Sequence, residues 1–377
     1  MMVPRPRREK AWTAVVAGVM DVAGQGSAAM RLTILGAGAV GPGAAALAVS
    51  RGHQAVLWSP SGAGTAGMTG ELDCEGVLEG RFAVRVAAAL EDALVGADAV
   101  LLAVPAYAFV ALLPRIAAAL PADVPLLIAP AASLAPLVFE AARRGPRAPV
   151  GALATTPLGG RRLAPGRVRV AMIRSELEVA ALPATAAPAM AALAHDLFGN
   201  RYLPAPDVLQ VALINANPII HAALALTNLT RIEQREAWPQ YGMMTEGACR
   251  LMAALDTERD ALARAWGLAI PSIATALHRA SQVPVGPLAA MGRAIAAGRG
   301  AVLGPVALTS RYITEDVPFG LSFYLALAAA RGTAMPVTQS VVTALEACCG
   351  QDFSHNPLLG GIDWTGLPAA LVNGMHR

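Results

Sequence analysis

Residues 31–60 read RLTILGAGAVGPGAAALAVSRGHQAVLWSP. Arg31 to Leu35 has the short apolar run of a buried strand, Gly36, Gly38 and Gly41 follow as GxGxxG, Pro42 to Arg51 predicts an alanine-rich helix ending at Gly52, and Gln54 to Trp58 predicts a second strand. Strand, glycine turn, helix, strand is the order that holds a dinucleotide's pyrophosphate. Gly36 permits the tight turn, Gly38 lets the backbone approach the phosphates, and Gly41 lets helix and strand pack closely. The helix N-terminus adds unpaired N–H groups and a positive dipole end. Gly36, Gly38, Ala39, Val40 and Gly41 are therefore the expected cofactor contacts.

Which dinucleotide is bound is less determined. The acid that would take a ribose 2′-hydroxyl belongs at the end of the second strand, where Trp58, Ser59, Pro60 and Ser61 stand. No arginine follows closely to mark a 2′-phosphate. The expectation is NAD or NADP with a slight lean to NADP, and Ser59 joins the cofactor contacts by position.

The alternation continues outward. Asp98 to Val104 predicts a buried strand, Tyr107 to Leu120 a helix, and Pro125 to Ala129 and Val150 to Thr155 further strands, with Val168 to Ile173 and Ala180 to Pro183 completing the sheet. This is an α/β pattern: a Rossmann-like, doubly wound, mostly parallel sheet with helices on both faces. Ligands of such sheets sit at the carboxyl ends of the strands. Val104 and Pro105, with Ala106 and Tyr107, and the loop Thr155-Thr156-Pro157 should therefore face cofactor or substrate. From about Pro206 the pattern turns helical. The expected organisation is an extension at 1–29, a dinucleotide-binding domain at 30–205 and an all-helical domain at 206–377, with a substrate cleft between the two.

Composition narrows the class. The 377 residues are 55% hydrophobic and 15% charged, enough for a large core in two domains. Mean hydropathy is +0.50, but the longest charge-free run, Val208 to Thr230, contains Gln210, three asparagines, Pro218 and His221, which are costly facing lipid. No membrane partner is expected. The net charge of +3 comes from scattered arginines without a basic stripe, which gives nucleic-acid binding no support. Cys74, Cys249, Cys348 and Cys349 show neither zinc spacing nor a disulfide framework, so we expect reduced thiols, a cytoplasmic location and no metal. The basic, mildly apolar start imitates an export signal, but Asp21 interrupts it. A disordered extension, or a working start at Met30, is the plainer expectation. A homodimer is compatible with everything above.

Midway, residues 215–228 read NANPIIHAALALTN. On one helix from Asp207 to Ile232 at about 100° per residue, Asn217 lies about 40° from His221 and Asn228 about 20°, and Gln210 returns to the same face. Pro218 should kink the helix beside that stripe. A lone buried histidine is usually a satisfied core residue. Four polar groups on one interior face would each cost about 1–3 kcal/mol without partners, so the face is expected to meet a polar cleft. A second cluster is TSRYITEDVPFG at 309–320. Thr314 could cap a helix whose first turn holds Glu315 and Asp316 as ionised carboxylates. Capping alone would explain it. The competing reading pairs Asp316 with His221 and leaves Arg311 for a carboxylate.

Three segments together resemble the octopine/nopaline (opine) dehydrogenases: Asn217-Pro218-Ile219-Ile220-His221, GMMTEGACRLMAALDTER from Gly242 to Arg259, and Arg311-Tyr312-Ile313-Thr314-Glu315-Asp316-Val317-Pro318. The resemblance runs from Arg31 to about Gly350. It implies a Rossmann domain carrying NAD(P)H and a helical domain closing over it. It also implies an oxidoreductase acting on CH–NH bonds, which condenses an amino acid's amine with a 2-oxo acid and reduces the imine. By matching position, His221 and Asp316 resemble the catalytic pair and Arg311 the ligand of a substrate carboxylate; Asn217 and Thr155 join it as expected substrate contacts. A carboxylate beside an imidazole favours the imidazolium and fixes its tautomer, giving a general acid near neutral pH. Bidentate carboxylate binding suits a guanidinium.

Two other readings are weighed against this. Rossmann dehydrogenases with a helical second half that act on a 2-oxo or 2-hydroxy acid through a catalytic lysine are the nearest enzymes, but the only lysine is Lys10, in the extension. Of the other histidines, His53, His195, His278, His355 and His376, none has the asparagine stripe. A non-catalytic NAD(P) sensor would share the first half and would need no proton donor.

One departure bears on the amino donor. Ala154-Thr155-Thr156-Pro157 followed by Arg161 resembles the family's Glu-Thr-x-Pro loop and arginine, with alanine in place of the acid used by arginine-binding members. With Ala154, Thr155 and Leu158 nearby, the expected donor has a small, apolar or differently read polar side chain, unless another acid fills the gap in space.

Overall fold

A computed structural model describes residues 28–145, 147–299 and 302–374. The expectation for the extension falls almost wholly outside the described residues, as does His376.

The strands are β1 (Arg31–Leu35), β2 (Gln54–Trp58), β3 (Glu71–Gly76), β4 (Gly80–Ala83), β5 (Arg85–Val86), β6 (Ala99–Leu102), β7 (Leu126–Ile128), β8 (Val150–Leu153), β9 (Leu158–Ala164), β10 (Arg167–Ile173), β11 (Glu176–Leu182) and β12 (Arg201–Pro204). Helices α1 (Gly41–Ser50), α2 (Leu90–Leu94), α3 (Phe109–Ala119), α4 (Ala135–Ala141) and α5 (Ala187–Phe198) alternate with them. The principal sheet has the order β12-β11-β8-β7-β6-β1-β2-β5. All its pairs are parallel except β11 with β8. Strand order reverses between β1 and β6, which opens a crevice at their carboxyl ends.

The principal sheet separates two cores because side chains alternate across each strand. From β1, Leu32 and Ile34 enter the core beneath α1 and α5, while Leu35 enters the other, shared with α2 to α4 and the helical half. Thr33 also points to that second side and donates its hydroxyl to Ala93 O at 2.6 Å, which satisfies a polar group buried in β1.

A second sheet, ordered β4-β3-β10-β9, corrects the expectation that Val168 to Ile173 extends the principal one. Its strands alternate buried and exposed residues, as one-sided strands do, and β3 pairs with β10 from almost a hundred residues away. This sheet covers the outer face of α1. Gly41 to Ala48 are all buried in consequence, and an alanine- and glycine-rich helix is what fits between two sheets. Leu158, expected near the amino donor, is fully buried against α1 instead.

Beyond Pro204 the elements are helical: α6 (Val208–Ile214), α7 (Asn217–Thr227), α8 (Leu229–Glu233), α9 (Glu246–Ala265), α10 (Ile273–Ser281), α11 (Leu288–Arg299), α12 (Arg311–Thr314), α13 (Ser322–Ala329), α14 (Pro336–Cys349) and α15 (Leu367–Asn373). A single π-helical turn, Val317–Leu321, joins α12 to α13.

The expected single helix from Asp207 to Ile232 is three. The break at Asn215 has a tertiary cause. Arg259 of α9 is completely buried, donates to Leu213 O at 2.7 Å and Pro271 O at 2.7 Å, and pairs with Asp256 at 2.6 Å. A guanidinium thus satisfies the carbonyls that α6 leaves open at its end. The chain restarts at Asn217 with Pro218 in the first turn, where proline has no hydrogen bond to lose. The predicted polar stripe therefore dissolves. Gln210 donates to Ala269 O at 2.8 Å, and Asn228 closes α7 by donating to Leu224 O at 3.0 Å.

Candidate active site

The turn after β1 has the geometry a pyrophosphate requires. Gly36 adopts φ +125°, and a Cβ there would lie 2.3 Å from Ala103 O of the neighbouring strand end. At Gly41 a Cβ would stand 1.7 Å from Gly36 O, so helix and turn approach as only glycine allows. Gly38 and Ala39 are exposed at the tip, and open space surrounds Gly38. Val104 and Pro105 follow β6 on the other side of the switch point. The residues fit a dinucleotide whose phosphates meet the N-terminus of α1.

At the expected ribose end, Ser59 is buried and its hydroxyl accepts from Gly64 N at 3.1 Å, closing the loop after β2. Arg162 of β9 reaches the same loop and donates to Ala63 O and Gly64 O, each at 3.1 Å. The sequence carried no sign of it, since the second sheet brings it there from about a hundred positions away.

His221 projects from α7. Its Nδ1–H donates to Asp316 Oδ2 at 2.8 Å, since a carboxylate can only accept. Both side chains are largely buried, 14% and 13% exposed. The imidazole also lies on the phenol ring of Tyr312, with centroids 3.7 Å apart and planes within 9° of parallel. The Tyr312 hydroxyl donates to Gln240. A hydrogen bond and a ring stack hold the imidazole, leaving Nε2 as the nitrogen available to a ligand. His53, His195 and His278 are instead bonded to the backbone carbonyls of Asp196, Asn200 and Val283.

The segment 309–320 departs from its expected form. Thr314 ends α12 and donates to Ser310 O at 3.1 Å, so it does not cap the next turn. Asp316 precedes the π turn and spends its carboxylate on His221. Glu315 is buried and lines the same small cavity as Asp316. It accepts from Ala106 N at 2.8 Å, tying α12 to the loop after β6, and meets Arg311 at 3.4 Å. Burial, reinforced by the charge of Asp316, pushes its carboxyl above the usual carboxylate range, where a dipole-stabilised ionised group was expected.

Two cavities flank His221, and Asn215 and Asn217 border both. The smaller, about 40 Å³, is lined by Arg311, Asp316 and the Ser133 loop. The larger, about 190 Å³, is lined by Ala154, Thr155, Gln240 and the charged residues Arg174, Glu176, Glu178 and Arg279. Of the site residues expected from the sequence, the structure brings His221, Asn217, Arg311, Asp316 and Thr155 to these two cavities. Sequence reasoning missed Tyr312, Gln240 and the acids of β11, whose only sequence signal is an alternation of charge along a strand.

Comparison with known proteins agrees with this architecture. The family model described as the alpha-helical domain of NAD/NADP octopine/nopaline dehydrogenase matches residues 204–349. That of the N-terminus of NAD-dependent glycerol-3-phosphate dehydrogenase matches residues 31–130. An opine dehydrogenase of Arthrobacter sp. (strain 1C) is 28% identical over 283 residues, covering 73% of this chain and 77% of the relative. An octopine dehydrogenase solved with NADH and L-arginine superposes with a TM-score of 0.70 at 17% identity, covering 92% of this chain and 99% of that one. A yersinopine dehydrogenase solved with NADP+ gives 0.69 at 20% identity, with 92% and 98% covered. The stretch from α6 to α14 thus matches the helical domain of the octopine/nopaline dehydrogenases, and with the glycine-turn Rossmann half preceding it the chain as a whole is similar to opine dehydrogenases.

Proposed function

We propose that this protein reductively condenses the amine of an amino acid with a 2-oxo acid, using NADH or NADPH. The observation that carries this reading is the placement of the His221–Asp316 pair between two cavities, one bordered by Arg311 and the other by Thr155. A condensation needs two substrate sites meeting at one proton donor. A sensor needs neither the pair nor the second cavity.

Arg311 is the cation positioned to take the oxo-acid carboxylate, with Asn217 beside it for a substrate oxygen. The amino donor occupies the larger cavity against Thr155. As the amine attacks the oxo carbon, the His221 imidazolium delivers the proton on Nε2 to the carbonyl oxygen, and the proton that the attacking amine sheds returns to Nε2. That proton passes from Nε2 to the carbinolamine hydroxyl, which leaves as water and gives the protonated imine. The Gly36–Gly41 turn and the N-terminus of α1 would hold NAD(P)H, which would supply the hydride for the imine carbon. Asp316 holds the tautomer with the proton on Nδ1, and Tyr312 holds the ring plane. Arg162 at the ribose-end loop supports the lean to NADP, because a guanidinium there suits a 2′-phosphate. Four unpaired cysteines accord with a cytoplasmic setting.

The deciding experiment follows oxidation of NADH and NADPH with a panel of amino acids against pyruvate, glyoxylate and 2-oxoglutarate, with the product identified by mass. Turnover that needs both an amino acid and an oxo acid, giving a secondary amine dicarboxylate, is expected. Oxidation with the oxo acid alone, giving a 2-hydroxy acid, would overturn the reading.

A further inference from the structure

The larger cavity carries a charge arrangement that Ala154 alone does not suggest. Its wall on the Rossmann side is β11, which runs antiparallel to β8, so that Ala154 N donates to Glu178 O at 3.1 Å. Glu176 and Glu178 are two apart on the strand and share a face. Acids therefore stand beside the position where the loop itself lacks one. They are not open to a ligand, however. Arg279 reaches across from α10 in the helical half, donates from Nη1 to Glu178, and keeps Nε 3.7 Å from Glu176. Arg201 adds a second pairing to Glu176 at 3.4 Å. The remaining wall includes Arg174, whose Nε donates to Thr156 O at 3.0 Å, and the apolar side chains of Ile214, Ile220, Leu277 and Met172.

We propose that Arg279 determines which amino donor is accepted: its guanidinium occupies the carboxylates of Glu178 and Glu176 that a basic donor side chain would need, so the cavity selects uncharged donors. This rests on the reading of the cavity as the amino-donor site. A donor guanidinium or ammonium entering the cavity would meet Glu178 beside a cation already bonded to its Oε1, so it would either displace Arg279 or face its like charge across one carboxylate, and either way gains less than at a free acid. An acidic donor side chain would face both glutamates. An uncharged side chain of moderate length lies against the apolar wall and disturbs neither. The same geometry states what reverses the preference: removal of Arg279 takes from Glu178 the cation bonded to it, while Arg201 stays on Glu176.

The test compares kcat/KM for arginine, lysine, glutamate, methionine and leucine at fixed oxo acid and cofactor in the wild type, Arg279→Leu, Arg279→Lys, and Arg279→Leu combined with Glu178→Gln. Methionine and leucine should exceed the charged donors by about tenfold or more in the wild type. Arg279→Leu should raise the arginine-to-methionine ratio about tenfold or more, Arg279→Lys should keep the wild-type order, and the double variant should lose most of the gain. Thermal melting reports whether each variant is folded, and Arg279→Gln replaces Arg279→Leu if the latter is not. A charged donor ranking first in the wild type, or a ratio unchanged within about twofold on removing Arg279, overturns the proposal. If the wild type turns over no donor, the proposed function fails. Calorimetric titration of arginine and methionine into the NADH-loaded proteins then applies the same ratio criterion to the cavity, and failure of both to bind overturns the inference as well.

Discussion

The imidazole of His221 lies within 9° of parallel to the phenol of Tyr312 at 3.7 Å between centroids, while Asp316 holds its Nδ1 at 2.8 Å. Tyr312 in turn donates to Gln240 on the wall of the larger cavity. Stacking restrains rotation out of the plane and the carboxylate restrains rotation within it. Tyr312 is thus a positioning residue for the proton donor. An aromatic pair is worth about 0.5–1.5 kcal/mol, so Tyr312→Leu should lower kcat by about two- to tenfold and change the pH profile of kcat. Tyr312→Phe keeps the ring and should retain most of the activity. Equal losses in both variants would assign the effect to the Gln240 bond instead.

His221→Ala should lower kcat by about 10²-fold or more, as loss of a general acid does. Dinucleotide affinity, measured by fluorescence titration, should stay within about twofold because the phosphates meet the β1 turn in the other half. Asp316→Asn should also lower kcat, since an amide can present its N–H₂ to Nδ1 and reverse the tautomer. Full turnover in either variant would return His221 to the role of a buried structural histidine.

Arg311 borders the smaller cavity with its side chain 60% exposed and its guanidinium 3.4 Å from Glu315. Arg311→Ala should raise KM for the oxo acid about tenfold or more, the loss of a charge-assisted bond. Little change is expected for an analogue lacking the carboxylate. Equal losses for both compounds would count against carboxylate binding.

Glu315 links stability to pH. Burial, and then the charge of Asp316, raises its carboxyl above the ordinary range, so the folded protein binds this proton more tightly than the unfolded chain does. The resulting stabilisation is fully present below the ordinary carboxylate range and is lost as pH rises through the raised value. Glu315→Gln abolishes the titration and keeps an oxygen for the Ala106 N–H. The Tm of the variant minus that of the wild type should therefore be more positive at pH 7 than at pH 4, by differential scanning calorimetry. A difference that is flat or falls with pH would contradict the assignment.

Arg162 tests the cofactor preference. Removing its guanidinium from the loop of Ala63 and Gly64 should raise KM for NADPH about tenfold while leaving KM for NADH within about twofold. Parallel changes for both cofactors would make Arg162 a brace of the loop alone.

The glycine turn was legible in the sequence because each of its requirements is local: Gly36, Gly38 and Gly41 lie within six residues, between a strand and a helix defined by their own side chains. His221 and Asp316 were legible only as members of a recurring combination of segments. They are 95 positions apart, and no periodicity links them. The helix containing His221 was misjudged because its break at Asn215 depends on Arg259, which caps α6 from more than forty residues away. A helical period continues through a sequence whether or not a distant guanidinium claims the carbonyls at one turn. The sequence by itself thus determined the cofactor turn, the mostly parallel sheet and the change to helices near Pro206. Packing between distant segments decided the second sheet over α1, the Tyr312 platform and the Arg279–Glu178 bridge 101 positions long, since ion pairs and strand pairings of this kind leave no periodic trace in either partner.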